Sequence, residues 1–147
     1  MVLEMLVYLD NCTYGRPYDN QEQLRIHLET MAKLQIQFMI VEGKIDLAVS
    51  CFNIFENGCK DDESIKNRIS SFMDSNMSIY IGEDEPSLDS LISSIASTGI
   101  KSLDASHLAA SLIAKCDYFI TTDDRILKYN TDAIRIVNPV QFIQEVY

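Results

Sequence analysis

Short, nearly continuous apolar runs alternate along this chain with stretches in which apolar residues recur every three or four positions. These are the spacings of buried strands and of amphipathic helices. The first run covers residues 4 to 9 and ends at Asp10. Its unbroken apolarity suits a strand covered on both faces, as in parallel sheets. Gly15, Arg16 and Pro17 then read as a loop, and Asp19 with Glu22 three positions on has the form of a helix N-cap and capping box. Leu24, Leu28, Met31, Leu34, Phe38 and Val41 form the stripe by which that helix is expected to pack on the core, and Gly43 stops it.

The pattern then repeats. Residues 45 to 49 read as a second strand, and Ser50 caps a short helix bearing Ile54, Phe55 and Glu56. After a polar break, Ile65, Ile69, Phe72 and Met73 mark another helix, and residues 77 to 81 a third strand. Residues 82 to 87 make a turn with Pro86 near a helix start, and Leu88, Leu91, Ile92 and Ile95 give that helix its stripe as far as Gly99. Asp104 opens an alanine-rich helix with Leu108, Ser111, Leu112 and Cys116 along one side. A fourth strand at 118 to 120 runs into Thr121-Thr122-Asp123-Asp124 and a short helix around Ile126 and Leu127. A fifth covers 134 to 137, and Pro139 starts a terminal helix holding Phe142 and Val146. Strands alternating with helices predict an α/β fold: a three-layer α/β/α sandwich around a central, mainly parallel five-stranded sheet, with residues 1 to 147 as one domain.

Composition narrows this further. A length of 147 residues suffices for one well-buried core, and 47% hydrophobic content beside 23% charged is ordinary for a globular chain. The formal net charge of −10 argues against a broad basic face of the kind that grips duplex nucleic acid. Cys12, Cys51, Cys59 and Cys116 show no zinc-ligand spacing with one another or with His27 and His107, and read as buried free thiols, which fits a cytoplasmic setting. The apolar start, interrupted by Glu4 and lacking a basic leader, does not read as a signal peptide, and no run approaches the ~20 residues that span a bilayer.

The candidate chemistry lies in four acids: Asp10, Glu56, Asp104 and Asp123. Each stands at the end of a predicted strand or on the helix after one, where open α/β sheets bind ligands. Carboxylates gathered there repel by roughly 3 kcal/mol per pair at about 5 Å and an effective dielectric of about 20. Protonation or a hard divalent cation relieves that repulsion. Each acid also has a plain structural use: Asp10 in a turn, Asp104 as an N-cap, Asp123 and Asp124 at a helix start, and Glu56 on a helix surface.

Taken in order, the contexts of these acids resemble the PIN-domain family of metal-dependent ribonucleases, VapC-like toxins among them. The matching pieces are Tyr8-Leu9-Asp10-Asn11, Ser50 with Glu56 six positions on, Asp104 opening Ala105-Ser106-His107-Leu108-Ala109-Ala110, and Phe119-Ile120-Thr121-Thr122-Asp123. They span nearly the whole chain. The resemblance implies a catalytic and metal-binding quartet of Asp10, Glu56, Asp104 and Asp123 holding Mg²⁺ or Mn²⁺, with Asp124 a stand-in for Asp123. It implies hydrolysis of single-stranded or looped RNA, an antitoxin protein as partner if the chain is a toxin, and pairing of two copies. Asn11 and Thr122 would support the acids or touch phosphate. His107 reads as a partly exposed structural histidine, Arg125 and Lys128 as helix-surface groups, and Arg16 with Tyr18 either as RNA contacts or as a packed loop. The stretch from Tyr14 to Tyr18 and the long helix after it depart from short toxin-like members. Two other readings compete: a non-catalytic PIN module serving as an RNA-binding or protein-interaction scaffold, and a receiver-like phospho-acceptor domain. The second lacks an acidic pair near the first strand and a lysine after the last.

Overall fold

Leu6–Leu9 (β1) lies at the centre of the molecule, and Val7, Tyr8 and Leu9 have no solvent exposure. The structure is a computed structural model and describes residues 5–147, so the part of the first predicted strand that falls on Glu4 lies outside the described residues. Asp46–Ser50 (β2), Met77–Ile81 (β3), Tyr118–Ile120 (β4) and Arg135–Val137 (β5) complete one sheet in the order β3-β2-β1-β4-β5. Every strand pair is parallel, with Val7 opposite Leu47 on one side and Tyr118 on the other. The predicted three-layer sandwich is the fold observed.

Neighbours of β1 alternate with the pleat. Val7 and Leu9 face a core layer with Ile36, Ile40, Met73 and Phe142, carried by helices Leu24–Val41 (α2), Glu63–Asn76 (α4) and Pro139–Val146 (α8). Tyr8 faces the opposite layer, with Leu88, Ile95, Leu108 and Phe119, under helices Leu88–Ala96 (α5) and Ser102–Ile113 (α6). Burial of each such side chain contributes roughly 1.5–3 kcal/mol, so a strand sealed on both faces anchors the sheet. Three shorter helices, Asn11–Gly15 (α1), Cys51–Gly58 (α3) and Asp124–Leu127 (α7), start at the carboxyl ends of β1 and β2 and just past the end of β4. β1 and β4 meet where the strand order reverses, the crevice in which sheets of this kind bind ligands.

Four sequence expectations change. The segment after β1 is the helix α1 followed by a 3₁₀ turn, Arg16–Tyr18, rather than a loop. Asp19 and Glu22 form no capping box. The long helix begins at Leu24 behind Gln23, which makes no side-chain cap, while the Asp19 carboxylate takes Arg16 Nη1 at 3.0 Å. The thiols are not uniformly buried: Cys116 is, Cys12 and Cys51 are half-buried, and Cys59 is exposed.

The largest change concerns α2. Leu24, Leu28, Met31, Leu34, Phe38 and Val41 all point to solvent, 46–71% exposed, while Glu29, Thr30, Lys33, Ile36 and Ile40 face inward. The physical reason lies in what the helix rests on. Its first half sits over Arg16, whose guanidinium reaches buried Glu29 at 2.9 Å, and the Lys33 ammonium stands 5.9 Å from the ring centroids of both Tyr14 and Phe72. Of the second half, Ile36 and Ile40 are buried in the apolar core and Met39 packs half-buried against it. Apolar residues occur on both sides of α2, and the ion pairs settled which side faces in.

Candidate metal centre

Asp10 closes β1. Its amide donates to Ile120 O at 2.9 Å, tying it to the end of β4. One carboxylate oxygen accepts the Asn11 amide at 2.8 Å and so caps α1; the other accepts Thr121 Oγ1 at 2.8 Å and the Cys12 thiol at 3.4 Å. Asp10 is 4% exposed. Burial holds its carboxyl above the usual carboxylate range and Glu56 adds to this, while His107 and the Thr121 hydroxyl oppose. The adjoining Cys12 thiol, buried and beside Asp10, is pushed up to about 12 and stays protonated.

Glu56 is brought to Asp10 by the way α3 is fastened. Ser50 and Asn53 form a capping box at its start. Asn53 Nδ2 donates to Leu9 O at 3.2 Å and to Asn11 Oδ1 at 2.7 Å, and Asn11 Nδ2 returns a bond to Asn53 O at 3.0 Å. Asn11, 3% exposed, is engaged in this lock, which agrees with the supporting half of its expected role. It also fixes the helix bearing Glu56 to the loop bearing Asp10.

His107 is the residue whose role was most misread. It has no solvent exposure. Its Nδ1 lies 2.6 Å from Tyr8 Oη, and its Nε2 lies 2.9 Å from Glu56 Oε1. Tyr8 Oη in turn lies 2.7 Å from Ser50 Oγ, which already accepts the amides of Phe52 and Asn53. That leaves the Ser50 proton for Tyr8, the Tyr8 proton for Nδ1, and an Nε2–H for Glu56. Every group in the row is satisfied in one direction, and the Glu56 carboxylate is held at its end. Burial raises the Tyr8 hydroxyl well above its ordinary value, consistent with a donor that keeps its proton.

Asp104 is the third residue of α6, whose N-cap position is Lys101 without a side-chain bond, so its carboxylate is not used as a cap. Burial, then Asp10 and Asp123, raise it above the usual range against the pull of His107 and Arg125. Asp123 does cap a helix, accepting the Arg125 amide at 2.9 Å, and Arg125 Nη2 stands 3.2 Å from its other oxygen. Burial alone would raise the Asp123 carboxyl, but Arg125 brings it below the ordinary value.

Among the described residues, one oxygen or nitrogen from each of Asp10, Glu56 and His107 lies within 4.8 Å of the others, a cluster able to hold a metal ion. Asp104 and Asp123 stand outside that group, coupled to it through charge: Asp104 feels both Asp10 and Asp123. Carboxylate oxygens suit a hard divalent ion. Both His107 nitrogens are engaged, so the ring orients a ligand, as histidines and carboxylates behind metal sites do. Asp124 is turned away, with Arg25 of α2 donating to both its oxygens at 2.8 and 3.0 Å. Arg25 also donates to Thr122 O at 2.9 Å.

Of the two threonines after β4, it is the Thr121 hydroxyl that bonds the acids. Thr121 bonds Asp10 and accepts the Asp123 amide at 3.1 Å, whereas the buried Thr122 contributes backbone. Arg16 is engaged by Glu29 and Asp19, in keeping with the packed-loop alternative, and Tyr18 remains 39% exposed. A tyrosine in an otherwise aliphatic strand was the available signal for the Ser50–Tyr8–His107 row. Nothing in the sequence pointed to Arg25.

No family model matches the chain, and no curated protein does either. Among solved structures, a chain of VapBC2 from Rickettsia felis, crystallised bound to a DNA fragment from its promoter, superposes with a TM-score of 0.57 at 11% identity. The match covers 91% of this chain and 98% of that one. At that identity the likeness shows a shared fold.

Proposed function

We propose that this chain is a divalent-metal-dependent endoribonuclease that hydrolyses phosphodiester bonds in single-stranded or looped RNA, with Asp10, Glu56, Asp104 and Asp123 as its metal-holding acids. The observation that carries the reading is the cluster of Asp10, Glu56 and His107 at the carboxyl edge of the central strands, with two further acids in its electrostatic reach. Mg²⁺ or Mn²⁺ bound there would lower the pKa of a bound water and stabilise the leaving oxygen. Asp10 is fixed for that task by Thr121 and Glu56 by His107. Arg125, exposed beside Asp123 and within the field of Asp104, is the cation best placed for a substrate phosphate. A chain of net charge −10 suits a short unpaired segment, which needs few phosphate contacts, better than a duplex. The likeness to a VapBC2 chain supports a restraining antitoxin as protein partner.

The test is incubation of wild type and Asp10→Asn with a panel of structured RNAs and duplex DNA, with Mn²⁺ and with EDTA. Loop cleavage by wild type, lost with EDTA and reduced at least about 100-fold in Asp10→Asn, is the expected result. Equal cleavage by both proteins, or none across the panel while Mn²⁺ still raises the melting temperature, overturns it. The second outcome would favour the scaffold reading.

A further inference from the structure

Two open cavities lead away from the acid cluster beside α7. The smaller, about 100 Å³, is bounded by Asp104 together with Lys101, Arg125 and Ile126. The larger, about 560 Å³, shares Gly99, Ile100 and Arg125 with it and runs on to Lys128, Tyr129 and Asn130. Gly99, at φ 103°, leaves their shared boundary without a side chain. The larger volume lies within the roughly 300–1,000 Å³ of sites that take small organic ligands. No carboxylate lines it, in a chain with 22 acidic residues. Of the 12 basic residues, Lys33 is buried, and Lys60, Arg68, Lys101, Lys115 and Lys128 form no ion pair among the described residues. Lys101 and Lys128 border this path, and the Arg125 side chain stands between them, 65% exposed. A cavity of about 420 Å³ between α3 and α6, bounded by Phe52, Phe55, Leu103 and Glu83, holds no cation. The charge therefore marks one way out of the centre.

Cations alone would suit any anion, and the end of the path narrows the choice. Tyr129 packs against the core layer under α5 and α6 yet stays half-buried rather than sealed, so its ring is a fixed surface at the cavity wall. An aromatic ring beside lysine and arginine is how proteins hold an unpaired base together with its phosphates. Exposed Asn130 adds an amide with donors and an acceptor for a base edge. We infer that this path is a subsite for the single-stranded segment that adjoins the bond to be cut, with phosphates on Arg125 and Lys128 and one base laid on the Tyr129 ring. A duplex keeps its bases stacked on one another and offers none to that ring. The subsite takes its ligand from the nuclease reading, and adds to it the side on which the strand leaves and the residues that grip it.

The experiment measures binding of a labelled short single-stranded RNA, and of the same sequence as a duplex, by fluorescence anisotropy. The protein is the full chain carrying Asp10→Asn, with Mg²⁺ present, and the single strand should bind it more tightly than the duplex. Further variants in that background are Lys128→Ala, Lys128→Arg, Tyr129→Leu, Tyr129→Phe and Arg68→Ala, the last removing an equal charge from α4. Lys128→Ala should weaken binding about 5-fold at low salt and lower the slope of log affinity against log salt by about 0.7, one phosphate's share. Lys128→Arg should restore both. Tyr129→Leu should weaken binding at least about 5-fold with the salt slope unchanged, and Tyr129→Phe should bind as the parent. Arg68→Ala should also match the parent. Circular dichroism checks each fold, and if Tyr129→Leu unfolds, the Lys128 pair decides. Losses at Lys128 and Tyr129 in a chain that cleaves nothing once Asp10 is restored would uphold the subsite and sink the nuclease reading. Cleavage by the restored chain, while Lys128→Ala and Tyr129→Leu bind like Arg68→Ala, would overturn the subsite and leave that reading standing. Absence of RNA binding, or equal weakening by all three charge and ring losses, overturns the subsite as well.

Discussion

Helices α2 and α6 flank the same sheet and use their apolar residues in opposite ways. α6 buries every side chain from Ala105 to Ser111, including a histidine, and presents Asp104 at its rim. α2 turns six large apolar side chains outward and buries a glutamate and a lysine. Both show apolar residues at helical spacing. The difference teaches that such spacing announces a contact without naming the partner: for α6 it is the sheet, while for α2 the stripe has none among the described residues. Buried polar groups mark the site side in one helix and a strut in the other.

The contrast would break most visibly at His107. His107→Ala should lower unfolding free energy by about 3 kcal/mol, since it opens a cavity and strands Tyr8 Oη. Met31→Ala, measured by the same urea titration at dilution, should cost under about 0.5 kcal/mol. Comparable losses would show that the outer face of α2 is packed within the monomer. Next comes Glu29→Gln, which leaves Arg16 and Arg25 without their shared buried anion and should cost about 2 kcal/mol. Its Mn²⁺-dependent melting shift should also shrink if Arg25 steadies the loop carrying Asp123, and an unaltered shift would separate the strut from the site.

The smallest effect has the opposite sign. Burial pulls the Lys33 ammonium down to about 8 from 10.5, and Gln37 Oε1, 2.7 Å away, is its hydrogen-bond partner. Between those values the unfolded chain holds the proton that the folded chain has lost, so this group makes stability rise with pH across about 8 to 10.5. Lys33→Met should stabilise by about 1 kcal/mol near neutrality, and its advantage should narrow through that window. A constant advantage would mean that Lys33 reaches water.

Much of this architecture was written in local sequence. Five strands, the Gly43 stop and the Ser50 cap followed from apolar runs and turn chemistry because those devices act over a few residues. Asp10 and Glu56 were legible as partners because each closes or follows a strand, and parallel strands deliver their ends to one edge. His107 was not, since its burial depends on Tyr8, 99 positions away. The facing of α2 was decided by Arg16 meeting Glu29 across a turn, which apolar periodicity does not register. Thr121 and Thr122 are equivalent in composition, and only the exit geometry of β4 told them apart.

The bond from Thr121 to Asp10 joins residues 111 positions apart, and the one from His107 to Glu56 spans 51. No short fragment contains the cluster, and the chain must close loops covering most of its length before the acids meet. A cation held by Asp10 and Glu56, as proposed, would therefore have nothing to hold in the early stages of folding and everything to hold once the sheet is complete. Its contribution falls on the rate of unfolding far more than on the rate of folding. Such an ion would act as a late clasp, and a protease that cuts only the opened chain would find the loaded protein long-lived.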